Sequence, residues 1–212
     1  MTMNLNSEFF RKAAESEAES CISVGGYLLW PEIIYTNSPF PYKPQVIGAN
    51  SIVLAGPTLR TPGTGWRNEA IRSLVDLGFS GKIIVPERHD GATLPPDKHK
   101  EQCEWEWSYL QQAGTIVFWV CRNMETLPGL TTNIEFGYWM AKAPQKLVIG
   151  WPEDAEHVRY MELLWDSVTT VSDIPRYPVA HNLQSLMEMA VQHNRVNANV
   201  TKTIQKFLRP GN

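Results

Sequence analysis

Short runs of β-branched and aliphatic residues alternate with helical segments from residue 51 onward, and this alternation constrains the fold more than any other feature. The runs are predicted to be strands, the last of them weak: Ser51–Ala55, Lys82–Val85, Thr115–Cys121, Lys146–Gly150 and Ser167–Val171. Helices are predicted between and after them, at Trp66–Leu77, Asp97–Ala113, Asn133–Lys142, Asp154–Leu164 and from His181 onward. Strands that alternate with helices are typical of a parallel sheet covered on both faces. We therefore predict a doubly wound, mostly parallel five-stranded α/β sheet of flavodoxin-like or Rossmann-like type.

Residues 1–48 do not share this alternation, and we predict that they form an N-terminal extension to an α/β domain at residues 49–208. The extension is expected to contain a short helix, then strands or a hairpin at the runs YLLW and EIIY, and then a proline-rich connector.

Composition excludes several classes of protein. Hydrophobic residues make up 43% of the chain and charged residues 19%, which indicates a packed core rather than a disordered chain. The net charge of −3 argues against long nucleic acid as a partner. Cys21, Cys103 and Cys121 form no Cys-x-x-Cys pair, so neither a disulfide framework nor a zinc site is indicated. The longest apolar run, Ile116–Cys121, is far shorter than the roughly 20 residues that span a membrane. We expect a cytoplasmic protein without a membrane partner.

Ligands of open parallel sheets bind at the carboxyl ends of the strands. Three loops are therefore candidates for a site: Gly56–Gly65, Pro86–Pro96 and Arg122–Asn133. The first, GPTLRTPGTG, matches neither a dinucleotide nor a triphosphate loop. Its backbone N–H groups, with Arg60 or Arg67, could hold an anion or sugar hydroxyls, or the loop could be a plain connection.

Glu106 is the first candidate for an acid–base group. On the predicted helix, Gln102, Glu106 and Tyr109 form one polar stripe with Trp105 at its edge. The other face is expected to pack on the core through Cys103, Trp107 and Leu110. A carboxyl group between two tryptophans in the sequence could have its pKa raised by desolvation and act as a general acid. The alternative is a solvated helix glutamate.

Glu135 is the second candidate. It is predicted near the start of a helix, where the positive end of the helix dipole favours an ionised carboxylate that could act as a nucleophile. The alternative is a capping box formed with Thr132, in which Glu135 only accepts from a backbone N–H group.

Five segments resemble the nucleoside 2-deoxyribosyltransferase family, especially its branch with a Q-x-x-W-E element. In chain order they are SIVLAGPT, GWRNEAI, QCEWE, TIVFWV and TNIEFGYW, within residues 51–150. The resemblance implies a doubly wound fold and cleavage of the N-glycosidic bond of 2′-deoxynucleosides. It places the nucleophile, which carries the sugar as an ester, on Glu135 and the group that handles the proton of the base on Glu106.

Other side chains are candidates for substrate contacts. Gln102 could hydrogen-bond the base edge, and Trp105, Trp119 or Trp139 could stack on the base, although Trp119 on a buried strand is rather expected in the core. Tyr138 shares a helical face with Glu135 and could position the carboxylate. The other substrate-binding candidates are Gly56, Pro57, Arg60, Trp66, Arg88, Asp90 and Asn133. Arg88 and Asp90 could instead form an ordinary loop ion pair. No metal or organic cofactor is expected, and the resemblance implies a homo-oligomer that binds a nucleoside or nucleotide and a free base.

The sequence departs from the family at two positions. The better-characterised members have an aspartate that helps to hold the sugar six residues before the nucleophile, where this chain has Gly129. They also have a tyrosine in the first strand–loop region, where this chain reads Leu54-Ala55-Gly56-Pro57. Two alternative functions stand beside deoxyribosyl transfer. One is N-glycoside hydrolysis of a (deoxy)nucleoside 5′-monophosphate or related nucleotide, because the Gly56–Gly65 loop with Arg60 and Arg67 could hold a phosphate. The other is nucleotide binding without catalysis, which the missing aspartate at Gly129 leaves open.

Overall fold

The computed structural model describes residues 23–24, 27–28, 30–36, 45–58, 65–89, 96–171 and 177–208. The chain divides into two units, residues 1–30 and residues 31–212. Within the first unit, strands β1 (Ser23–Val24) and β2 (Tyr27–Leu28) pair antiparallel. Arg60 and Asp90, two of the residues singled out in the sequence, lie outside the described residues.

The second unit contains a five-stranded sheet in which every pair of neighbours is parallel. Its strands are β3 (Glu32–Tyr35), β4 (Ser51–Ala55), β5 (Lys82–Val85), β6 (Thr115–Trp119) and β7 (Leu147–Gly150), in the order β3-β5-β4-β6-β7. The helices of this unit are α1 (Trp66–Asp76), α2 (His99–Gln112), α3 (Leu130–Lys142), α4 (Arg159–Val171) and α5 (Leu183–Leu208). The predicted doubly wound α/β fold is confirmed.

The fifth strand is not the one that the sequence predicted. Residues 167–171 end helix α4, and the fifth strand is β3, whose Ile33 pairs with Ile83 of β5. The run VTTV has high β propensity, but Met161 and Trp165 lie one helical turn apart and are both buried in the core. Burial of this helical face outweighs the local preference of the β-branched residues.

Alternate residues of the central strands enter opposite faces of the sheet. Val53 of β4 and Phe118 of β6 pack with α2, α3 and α4, whereas Leu54 and Val117 pack with α1 and α5. All of these side chains are buried, which explains why the strands read as continuous apolar runs. Helices α2 and α3 therefore lie on the same face of the sheet.

The strand order changes direction beside β4. Helix α1 leads from β4 to its neighbour β5, whereas α2 leads from β5 back across to β6 on the other side of β4. Such a switch point leaves a crevice at the carboxyl ends of the strands. None of the helices within the described ranges is long and apolar enough to cross a membrane.

Candidate active site

A cavity of about 770 Å³ lies at this switch point. Val53, Ala55 and Ile84 line it from the strands, and α2 and the start of α3 line it from the same face of the sheet. It is a size typical of small-molecule sites. The polar groups that reach it come from segments far apart in the chain, so folding brings them together.

Glu106 reaches the cavity from α2. Its Oε1 accepts a hydrogen bond from Nε2 of Gln102, one turn earlier on the same helix, at 2.6 Å. Burial raises the pKa of the Glu106 carboxyl above its ordinary value, while this hydrogen bond and the charge of Arg67 act in the opposite direction. The expected polar pair of Gln102 and Glu106 is therefore present, and it faces a cavity rather than bulk solvent.

Glu135 reaches the same cavity from α3. Burial and the neighbouring charge of Glu106 raise its pKa to about 7, and Arg67 acts in the opposite direction. Two carboxyl groups in one partly desolvated cavity cannot both ionise without a cost, so the pair holds one proton over an intermediate range of pH. One group can then donate a proton while the other is a free carboxylate.

The expectation that the start of a helix keeps Glu135 ionised is wrong. Helix α3 begins at Leu130, with Gly129 as its N-cap, so Glu135 lies in the second turn. The N-cap has no side-chain hydrogen bond, and the capping box proposed for Thr132 and Glu135 is not formed. Desolvation and the charge of Glu106 dominate at this position because the field of the helix end decays within one turn.

The predicted faces of α2 also need correction. Trp105 is 3% exposed and Tyr109 is 2% exposed, whereas Trp107, which was expected in the core, is 56% exposed. Trp105 and Tyr109 lie one turn apart with ring centroids 4.6 Å apart, and the Tyr109 hydroxyl accepts a hydrogen bond from the N–H group of Gln45. The aromatic pair determines which face packs, and Cys103 is left to line the cavity beside Glu106.

Arg67 lines the cavity, and its buried side chain holds the loop after β4. The side chain is 1% exposed, and its guanidinium donates to the carbonyl oxygens of Leu54 at 2.9 Å and Gly56 at 2.8 Å. It also forms an ion pair with Glu87, and it reaches the Pro57 carbonyl and the Thr58 hydroxyl at 3.2 Å. Arg67 therefore fixes the loop after β4 and supplies positive charge to the cavity.

Glu87 is a cavity residue that the sequence reasoning missed. Only Pro86 separates Glu87 from the end of β5. Gly56 likewise follows the end of β4. That position at the carboxyl end of a central strand was the available signal. With Glu106 and Glu135 it is one of three glutamates that line the cavity, and it is the one whose charge is paired.

The remaining candidates divide into two groups. Gly56, Pro57, Arg88 and Trp105 line the cavity. Trp66, Asn133 and Tyr138 do not: the indole of Trp66 donates to the Pro57 carbonyl, Asn133 accepts from Arg122, and the Tyr138 hydroxyl accepts from Lys142. Trp119 and Trp139, considered for base stacking, are buried in the two core clusters.

Two glycines permit close approaches beside the cavity. A Cβ atom on Gly56 would lie 2.3 Å from the carbonyl oxygen of Trp119. Gly129 has a φ of +53°, and a Cβ atom there would lie 2.7 Å from the ring of Pro57. The loops after β4 and β6 are in contact here, so neither Gly56 nor Gly129 has space for a side chain.

In the part of the chain that the structure describes, no three His, Cys, Asp or Glu side chains are grouped so that they could hold one metal ion.

Residues 49–155 match a protein-family model described as nucleoside 2-deoxyribosyltransferase like. The matched region is about half of the chain and includes every cavity residue named above. None of the curated proteins matches the chain.

Proposed function

The chain belongs to the nucleoside 2-deoxyribosyltransferase-like family, and on that premise we propose that it transfers 2-deoxyribose from one nucleobase to another through an ester on Glu135. The observation that carries the proposal is the pairing of Glu106 and Glu135 in one cavity, where the charge of the first raises the pKa of the second. Retaining glycosyl transfer uses two such carboxyl groups, one as nucleophile and one as acid and base.

The reaction proceeds in two steps. A carboxylate oxygen of Glu135 forms a bond to C1′ of the sugar while the C1′–N bond breaks and its electron pair passes to the base. Glu106 donates its proton to the departing base nitrogen. In the second step a nitrogen of another base attacks C1′, its proton passes to Glu106, and Glu135 leaves as a carboxylate. Positive charge that develops on the sugar in each transition state is stabilised by the nearby carboxylate.

The base is placed at the α2 side of the cavity. Gln102 lies beside Glu106 there, and Trp105 and Trp107 line the same side. A base bound at this side has its nitrogen close to the proton donor, while its sugar points toward Glu135 and the start of α3. This arrangement gives Glu106 and Glu135 one role each.

The proposal is tested by incubation of the protein with a 2′-deoxynucleoside and a different free base. We expect the exchanged deoxynucleoside, detected by chromatography. Release of free deoxyribose and base without exchange would instead show a hydrolase, because water would then be the only acceptor that reaches the ester.

The pH dependence of kcat/KM is expected to be bell-shaped. Activity rises with pH as the pair loses its first proton, and it falls as the second proton is lost near pH 7, because the pKa of about 7 belongs to Glu135 beside a charged Glu106. In Glu106→Gln the alkaline fall should disappear, and Glu135 should ionise below pH 7 because the charge that raised its pKa is gone. The rate loss should be largest for bases that leave poorly without protonation.

Glu104→Gln provides the matched control, since Glu104 is an exposed residue of the same helix. It should retain the wild-type profile. A Glu106→Gln protein that also retains both limbs would remove Glu106 from the acid–base role.

A further inference from the structure

Arg122 is a buried arginine of the loop that leads from β6 to α3, and it does not line the cavity. The residue is 3% exposed, and its Nε donates to the carbonyl oxygen of Pro128 at 2.9 Å. Its Nη2 donates to Oδ1 of Asn133, in the first turn of α3. Pro128 directly precedes Gly129, the N-cap of the helix. The two bonds therefore hold the chain on both sides of the point where α3 begins.

The same side chain also bonds to the loop between β7 and α4. Its Nη1 donates to the carbonyl oxygen of His157 at 3.0 Å, and the Arg122 carbonyl accepts from the N–H group of Glu156 at 3.1 Å. His157 has a φ of +55°, a left-handed conformation that residues other than glycine rarely adopt. The Sδ atom of Met161, a core residue of α4, lies 4.0 Å from Nη2. Arg122 thus joins the start of α3 to a segment that lies outside the cavity.

Within the described ranges, none of the groups that bind the Arg122 side chain carries a negative charge. They are three carbonyl oxygens, one amide oxygen and one thioether sulfur. Burial lowers the pKa of the Arg122 guanidinium, as desolvation of a cation does. A buried cation without a counterion is costly, so the filling of space does not account for an arginine at this position. The guanidinium supplies several donors in one rigid plane, which fixes three segments relative to one another.

The position of α3 matters because it carries Glu135. Glu135 follows Asn133 by two residues, in the second turn of the helix, and no side chain caps the first turn. A shift of that turn would move the Glu135 carboxyl relative to Glu106. Misplacement of a reacting group by about 1 Å costs about 100-fold in rate.

We propose that Arg122 is a positioning residue, which through Asn133 and the Pro128 carbonyl holds the start of α3 so that Glu135 meets C1′ of the sugar. The proposal rests on the proposed function, because it takes Glu135 as the nucleophile. Arg122 acts only through α3, since it does not line the cavity.

Asn133→Ala tests the proposal with the least disturbance of the fold, because Arg122 keeps its carbonyl partners. The kcat of base exchange should fall about tenfold or more, while KM changes by less than about twofold, since neither residue lines the cavity. The alkaline limb of the pH profile should move below pH 7, because a Glu135 that lies farther from Glu106 and closer to water has a lower pKa. Asn199→Ala, at an exposed position of α5, should leave kcat and the limb unchanged.

Arg122→Met should lower kcat about 100-fold and move the same limb in the same direction. Loss of a nearby positive charge would by itself raise the Glu135 pKa and move the limb to higher pH, so the direction separates placement from charge. The double variant Arg122→Met/Asn133→Ala should be no slower than Arg122→Met, because both changes break one bond. Arg122→Lys should recover only part of the loss, because an ammonium group lacks the planar set of donors. Arg159→Met, at an exposed position of α4, is the control and should be fully active.

Titration of the Glu135 carboxyl by ¹³C NMR reports its placement without turnover. A Glu135 pKa that falls in Asn133→Ala, in a protein whose wild type exchanges no bases, would support the placement of Glu135 by Arg122 and overturn the reaction. Base exchange with a wild-type kcat and a wild-type Glu135 pKa in Asn133→Ala would overturn the positioning role and leave the proposed function standing. The same holds if Asn133→Ala or Arg122→Met lowers the melting temperature alone. If Arg122→Met does not fold, Asn133→Ala decides between these outcomes.

Discussion

Replacement of Glu135 by alanine is expected to lower kcat by about 10⁴-fold or more, the largest effect on activity of any single change. The expected size follows from the role of the group. Without the carboxylate no ester forms at C1′, and the positive charge that develops on the sugar loses its nearest anion. The loss is measured as the initial rate of base exchange at saturating deoxynucleoside, so that it reports kcat rather than binding.

Two further measurements separate chemistry from folding. Glu135→Gln should be as inactive as the alanine variant and at least as stable as wild type above pH 7. The pKa of Glu135 is raised in the folded state, so the folded wild type binds the Glu135 proton more tightly than the unfolded chain does. Wild type therefore loses stability as pH rises from about 4.5 toward 7. The glutamine has no proton to lose and avoids that cost.

Glu162→Gln, an exposed residue of α4, is the matched control and should be fully active. Mass spectrometry of wild type quenched during turnover should show a deoxyribosyl adduct on the peptide that contains Glu135. An active Glu135→Ala protein would exclude Glu135 as the nucleophile.

The sequence predicts the sheet well because its central strands are buried on both faces. Val53, Ile84 and Phe118 belong to runs that only a covered parallel strand accommodates, so the runs alone indicate the sheet. The edge strand Glu32–Tyr35 and the helical residues 167–171 are harder, because each depends on which distant segment packs against it. Whether each segment forms a strand or a helix is decided by these tertiary contacts, and a short stretch of sequence does not show them.

The candidate site could also be predicted from the sequence only in part. The positions of Glu106 and Glu135 on two helices follow from the sequence, whereas their approach in one cavity was expected only from the family resemblance. The pKa of Glu135 could not be predicted from the sequence, since it depends on burial and on the charge of Glu106 in the same cavity. The ion pair of Arg67 and Glu87 could not be predicted either, because it joins helix α1 to the loop after β5.

Arg67→Met is expected to cause the largest loss of stability, about 3–5 kcal/mol in the free energy of unfolding. The methionine fills much of the space but leaves the Glu87 carboxylate unpaired in a partly buried position. It also removes the donors to the carbonyl oxygens of Leu54 and Gly56. Unfolding in urea, followed by tryptophan fluorescence, measures the change.

The double variant Arg67→Met/Glu87→Gln distinguishes the contributions. It should recover part of the loss, because the unpaired charge is gone while the two carbonyl oxygens still lack their donor. Arg72→Met, at an exposed position of the same helix, should cost less than about 0.5 kcal/mol.

The pH dependence of Arg67→Met gives a second, independent result. Arg67 lowers the pKa values of both Glu106 and Glu135, so both limbs of the activity profile should move to higher pH in the protein that remains folded. If Arg67→Met were no less stable than Arg72→Met and kept the wild-type pH profile, Arg67 would neither hold the loop after β4 nor supply charge to the two glutamates. The one-proton pair would then depend on burial and on the mutual charge of the two glutamates.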